Sequence, residues 1–226
     1  MPRATLARCD RVTRVFGRGA TAVSAVRDVT CEIRAGDRIA ITGPSGSGKS
    51  TLLHLIAGLD TPSAGSVTWP AIGTVSDLRP GPVGIVFQGP SLLPPLDVAE
   101  NVALPLLLAG ATAADARAAA HDALSRLDLS LLAAKLPEEL SGGQAQRVAV
   151  ARVVAGRPRL ILADEPTGQL DHAAGATVLD ALEESAAHLD AALVVTTHDA
   201  HVAARLASRW AMHDGALVDA AVTCSP

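Results

Sequence analysis

Nine consecutive residues, Gly43-Pro44-Ser45-Gly46-Ser47-Gly48-Lys49-Ser50-Thr51, constrain this chain more than any other stretch of it. They match the phosphate-binding loop G-x-x-x-x-G-K-[ST], which needs an apolar strand before it and a helix after it. Both are legible: Arg38 to Thr42 is a short apolar run, and Lys49 to Ala57 has helical spacing with Gly58 as its stop. The glycines let backbone N–H groups turn inward around a phosphate, and the helix adds its positive end. Lys49 reaches the outer phosphates, and Ser50 carries a hydroxyl suited to magnesium. Of the 19 basic residues only Lys49 and Lys135 are lysines. A chain that otherwise uses arginine keeps a compact ammonium here, where a planar guanidinium is bulkier.

A second segment supplies what the loop lacks. Leu160-Ile161-Leu162-Ala163 is an apolar strand ending in Asp164-Glu165, two acids at the carboxyl edge where parallel sheets gather ligands. Beside a phosphate loop, Asp164 suits magnesium, held directly or through water, and Glu165 suits a general base that polarises the attacking water. Strands and helices alternate through the rest of the chain, which predicts an α/β fold with a mostly parallel core sheet. Thr5 to Phe16, Val26 to Ile33 and Arg38 to Thr42 read together as an antiparallel entry sheet. Between Asp97 and about Leu136 the pattern turns Ala- and Leu-rich, with Thr112 as the cap of a helix over Ala113 to Leu127. That stretch reads as a helical lobe, about residues 91–139, inserted in one domain spanning 1–226.

Leu140-Ser141-Gly142-Gly143-Gln144 is a further serine- and glycine-rich helix start, able to offer N–H groups and a hydroxyl to phosphate. Followed by Ala145-Gln146-Arg147 and then the acidic strand, it resembles the signature of ATP-binding cassette (ABC) ATPases. The resemblance runs from about Cys9 to Val218. It implies ATP and Mg2+ as cofactors, with Gly43 to Thr51 on the phosphates and Ser50, Gln88 and Asp164 toward the metal. It implies Lys49, Gln88, Glu165 and His198 as catalytic, Gln88 linking the metal to the helical lobe and His198 contacting the γ-phosphate. Phe16 lies where the family has an aromatic under the adenine, and Gly168-Gln169-Leu170-Asp171 resembles the D-loop, which brings Asp171 to the nucleotide. Such ATPases pair head to tail, so Ser141, Gly142, Gly143 and Gln144 of one copy would cover the ATP of the other.

Glu100-Asn101-Val102-Ala103-Leu104-Pro105-Leu106 is similar to a segment of the lipoprotein-release, macrolide-efflux and FtsE-like branch. That implies a subunit driving a separate integral-membrane permease, for export or membrane extraction, with an FtsE-like transmitter of conformational work as the alternative. An extracytoplasmic accessory protein is an additional candidate partner. The chain departs from the branch in Gln169 for the common Asn or Ala, in Phe16 for Tyr, and in a short Val67 to Val83 stretch. Soluble ABC factors fit less well: Lys49 and Asp164 are too close in the chain to enclose a long coiled coil, and there is one cassette.

Composition agrees. Net charge is −4 with pI near 5.9, which gives no reason to expect nucleic acid. The arginines at 3, 8, 11, 14 and 18 read as a solvated strand edge. No apolar run is long enough to span a bilayer and the N-terminus lacks a signal peptide's apolar stretch, so the expectation is a cytoplasmic protein held at the membrane's inner face by its permease. The 3 cysteines, Cys9, Cys31 and Cys224, stand far apart without C-x-x-C spacing and read as small apolar fillers.

Overall fold

The computed structural model describes residues 3–222. Its first layer is a three-stranded antiparallel sheet in which β1 (Thr5–Phe16) is flanked by β2 (Val23–Arg34) and β4 (Ala64–Thr68). Alternation along β1 and β2 turns Leu6, Cys9, Val12, Val26, Val29 and Ile33 inward, as a sheet with one wet face requires. Arginines on the wet face are paired: Arg3 with Asp37, Arg8 with Glu32, Arg14 with Asp60.

β3 (Arg38–Thr42) corrects the sequence reading, because it leaves that sheet altogether. It lies in a six-stranded sheet of order β5-β6-β7-β3-β8-β9, formed with β5 (Val83–Val86), β6 (Leu160–Asp164), β7 (Ala192–Thr197), β8 (Ser208–His213) and β9 (Ala216–Val222). Neighbours are parallel except β8 and β9 at one edge. Ile39, Ala40 and Ile41 are all buried, and a strand apolar on both faces suits a sheet covered on both sides. The third place in the antiparallel sheet goes to β4.

Period-2 alternation divides the core between the two faces of the parallel sheet. Leu160, Leu162, Ala192 and Val194 face the antiparallel sheet and α1 (Lys49–Ile56). Ile161, Ala163, Leu193 and Val195 face a cluster built from α2 (Val98–Leu108), α3 (Ala113–Arg126), α4 (Gly142–Val154), α5 (His172–His188) and α6 (Ala200–Ala204). α2 begins at a capping box of Asp97 and Glu100 and carries Pro105 within it. Thr112 caps α3, accepting from the Asp115 N–H at 3.1 Å. Among the described residues no helix is long and apolar enough to cross a membrane.

Cys9 and Cys31, distant in sequence, are directly opposite one another across β1 and β2, Cys9 buried and Cys31 half-buried. A hydrogen bond with Cys9, together with burial, holds the Cys31 thiol well above the usual thiol range. Cys224 lies outside the described residues.

Candidate active site

Four parallel strands end at one edge of the sheet, and each delivers part of the site there. β3 leads into the loop Gly43 to Gly48 and then α1; β6 ends in Asp164; β7 leads to His198; and β5 leads through Phe87 to Gln88. This is the carboxyl edge, where open parallel sheets hold ligands.

The loop is fixed at two glycines. Gly48, the residue before α1, has φ +97°, and a Cβ there would come within 2.0 Å of the Ala25 carbonyl oxygen on β2. Gly43 has φ +153°, and its Cβ would be 2.3 Å from the Met212 carbonyl oxygen. Any side chain at either position displaces backbone. The loop therefore depends on both sheets pressing against it.

Lys49 is only 4% exposed, and its ammonium donates to the carbonyls of Gly43 (3.0 Å) and Pro44 (3.1 Å). It also lies 3.4 Å from Glu165 Oε1, while His198 Nδ1 is 3.3 Å from Glu165 Oε2. The Glu165 carboxylate is thus held between a buried cation and an imidazole. Ser50 Oγ donates to Asp164 Oδ1 at 2.8 Å, which brings two hard oxygen ligands together next to the lysine. Among the described residues no cluster of three or more His, Cys, Asp or Glu could hold a metal. A hydroxyl, one carboxylate and the oxygens of a phosphate suit Mg2+, which keeps several waters and takes few protein ligands. Among the described residues the buried Ser47 hydroxyl finds no hydrogen-bond partner, as expected of a loop shaped around an acceptor.

An open cleft of about 480 Å³ is lined by Phe16, Ser45, Gly46, Gly48, Lys49, Ser50, Thr51, Gln88 and Glu165. Phe16 is 44% exposed, with the Arg14 guanidinium 4.6 Å from its ring centroid. The segment carrying Gln88 is tied to α4. Gln146 Nε2 donates to the Phe87 carbonyl at 2.8 Å, and Arg152, whose guanidinium pKa is lowered by burial, donates to the carbonyls of Pro90 (3.1 Å) and Ser91 (2.8 Å).

Two expected groups lie elsewhere. Ser141 and Gln144 form a capping box at the start of α4: the Gln144 N–H donates to Ser141 Oγ at 3.3 Å, and the Ser141 N–H donates to Gln144 Oε1 at 3.0 Å. Neither they nor Gly142 and Gly143 line the cleft. Asp171 caps α5, accepting from the Ala174 N–H at 2.8 Å, and lines a neighbouring cavity of about 240 Å³ with Glu165 and His198.

Two residues of this edge escaped the sequence reading. His54, one turn along α1 from Ser50, has Nε2 at 3.6 Å from Asp164 Oδ2. Thr196, fully buried, donates its hydroxyl to Asp164 Oδ1 at 2.7 Å. Position i+4 from Ser50 on the same helix was the available signal for His54. For Thr196 it was a hydroxyl directly after the apolar run Ala192 to Val195.

Comparison with known proteins agrees with this arrangement. The sequence pattern described as ABC transporter matches residues 26–168. The lipoprotein-releasing system ATP-binding protein LolD of Legionella pneumophila strain Paris is 44% identical over 206 residues, covering 88% of this chain and 91% of that protein. Its counterpart in strain Lens is 43% identical over the same shares. Among solved structures, the dimeric ATP-binding cassette MJ0796 bound to ADP and Pi superposes with a TM-score of 0.86 at 33% identity, covering 98% of this chain and all (100%) of that one. The cassette cbiO1 of Clostridium perfringens, part of the transporter complex cbiONQ, superposes at 0.84 with 25% identity, covering 97% of this chain and 89% of that one. A phosphate loop, an acidic strand end and a histidine meeting at one sheet edge, in a fold shared over nearly all of its length with these cassettes, make this chain a nucleotide-binding, ATP-hydrolysing member of the ABC transporter family.

Proposed function

We propose that this cassette, one domain with its helical lobe at about 91–139, drives a separate integral-membrane permease that extracts lipid-anchored proteins from a membrane. The lipoprotein-releasing relatives, matched over most of both chains, support that substrate class, and neither they nor the fold favour an FtsE-like transmitter. The permease would hold the chain at the inner face of the membrane, with an extracytoplasmic accessory protein as a further partner. The observation that carries the catalytic part is the contact of Glu165 with both Lys49 and His198, beside the Ser50–Asp164 pair.

In this reading Glu165 accepts a hydrogen bond from the attacking water and orients it in line with the γ-phosphate. Lys49 balances charge on the outer phosphates, and His198 donates to a γ-phosphate oxygen. Ser50, Asp164 and Gln88 would hold Mg2+, which when bound would draw negative charge off the phosphates. Phe16 stacks on the adenine. Ser141 to Gln144 and Asp171 act on the nucleotide across a head-to-tail dimer, an assembly supported by the dimeric neighbour. Catalysis is positioning plus electrostatic stabilisation, with no covalent intermediate.

Glu165→Gln tests this. It should bind ATP as the parent does while turnover falls by about a hundredfold or more. Purified from solubilised membranes with ATP and Mg2+, it should bring down a permease with few spans and a large extracytoplasmic domain. Undiminished turnover would contradict the assignment of Glu165, and recovery of no membrane protein would contradict the transport role.

A further inference from the structure

The two acids at the end of β6 are tied together by a residue assigned no part in the reaction. β7 reads Ala192-Leu193-Val194-Val195-Thr196-Thr197 and is buried along its length. Valine would satisfy packing at position 196, so a hydroxyl there, at 0% exposure, needs polar partners to offset its burial. It has two. Thr196 stands directly opposite Asp164 in the parallel pairing of β6 and β7. Its Oγ1 donates to Asp164 Oδ1 at 2.7 Å and accepts from the Glu165 backbone N–H at 2.9 Å. The same N–H also reaches the Thr196 carbonyl at 3.1 Å.

Glu165 needs holding in its own right. Its φ is +42°, in the left-handed region that a β-carbon disfavours, so surrounding contacts must offset the cost of this turn. That turn directs its carboxylate to Lys49 and His198. Asp164 Oδ1 meanwhile accepts from two hydroxyls, Ser50 on α1 and Thr196 on β7. One buried hydroxyl therefore touches both acids: the carboxylate of the first and the backbone of the second.

We propose that Thr196 is a positioning residue for ATP hydrolysis, its hydroxyl setting the Asp164 carboxylate and the Glu165 backbone in a fixed relation. This rests on the roles given above to Asp164 and Glu165. Thr196 acts through them and contacts neither the nucleotide nor the water.

Comparing Thr196→Val with Thr196→Ser separates the hydroxyl from the shape, since valine keeps the volume and serine keeps the hydroxyl. Thr196→Val should keep its melting temperature within a few degrees and its ATP affinity within about twofold. Its kcat should fall about tenfold or more and the Mg2+ concentration for half-maximal rate should rise, while Thr196→Ser stays within about twofold of the parent in both. Should the valine variant fail to fold, Thr196→Ala against Thr196→Ser asks the same question, since both lose the methyl and only serine keeps the hydroxyl. Turnover undiminished in Thr196→Val, or serine as impaired as valine or alanine, overturns the proposal. Glu165→Gln measured alongside tells the two failures apart: if it is inactive while Thr196→Val is normal, only the role of Thr196 falls, and if it is fully active, the parent reading falls with it.

Discussion

Two helix starts rich in serine and glycine lie in this molecule, and they are finished to different degrees. At the first, before α1, the chain surrounds the loop with a buried ammonium, a hydroxyl bonded to an acid, and a second acid between lysine and histidine. At the second, before α4, the Ser141 and Gln144 side chains bond each other's backbone N–H at an exposed helix end. The same local chemistry, a helix N-terminus offering N–H groups, is enclosed in one place and open in the other. One copy thus gathers these groups along its sheet edge, while its second cap lies outside the cleft of that copy. A division of that kind suits a site closed by a second copy.

Variants can break or sharpen the contrast. Lys49→Ala removes the ammonium held by the Gly43 and Pro44 carbonyls, and should cut turnover about a thousandfold and weaken ATP binding as well. An effect on turnover alone would move Lys49 away from ground-state phosphate binding. Phe16→Ala should act more mildly, raising KM for ATP about tenfold with kcat nearly unchanged and tripolyphosphate affinity unaffected. Equal losses for ATP and tripolyphosphate would remove Phe16 from the base.

How much was legible follows the same division. The loop, the acidic strand end and the caps of α2 and α3 are local patterns, readable because each needs a fixed residue order over a few positions. Pairing between distant strands is different. β3 was read into the antiparallel sheet because β1 and β2 precede it, whereas its partners β7 and β8 lie more than a hundred residues away in sequence and its two buried faces decide the matter. Cys9 and Cys31 read as isolated until register set them opposite each other. Thr196 stayed hidden for the same reason, since only the pairing of β6 with β7 puts its hydroxyl on Asp164. Asp171 shows the converse: its place in a motif was plain, while its use as the cap of α5 needed coordinates.

The central claim, that the cleft of one copy is completed by Ser141 to Gln144 of another, is tested most directly by light scattering on Glu165→Gln with and without a second change, Ser141→Arg. With ATP, the single variant should shift from monomer to dimer. The double variant should bind ATP with unaltered affinity and remain monomeric. Dimerisation of the double variant to the same extent would contradict closure of the site by the partner's signature.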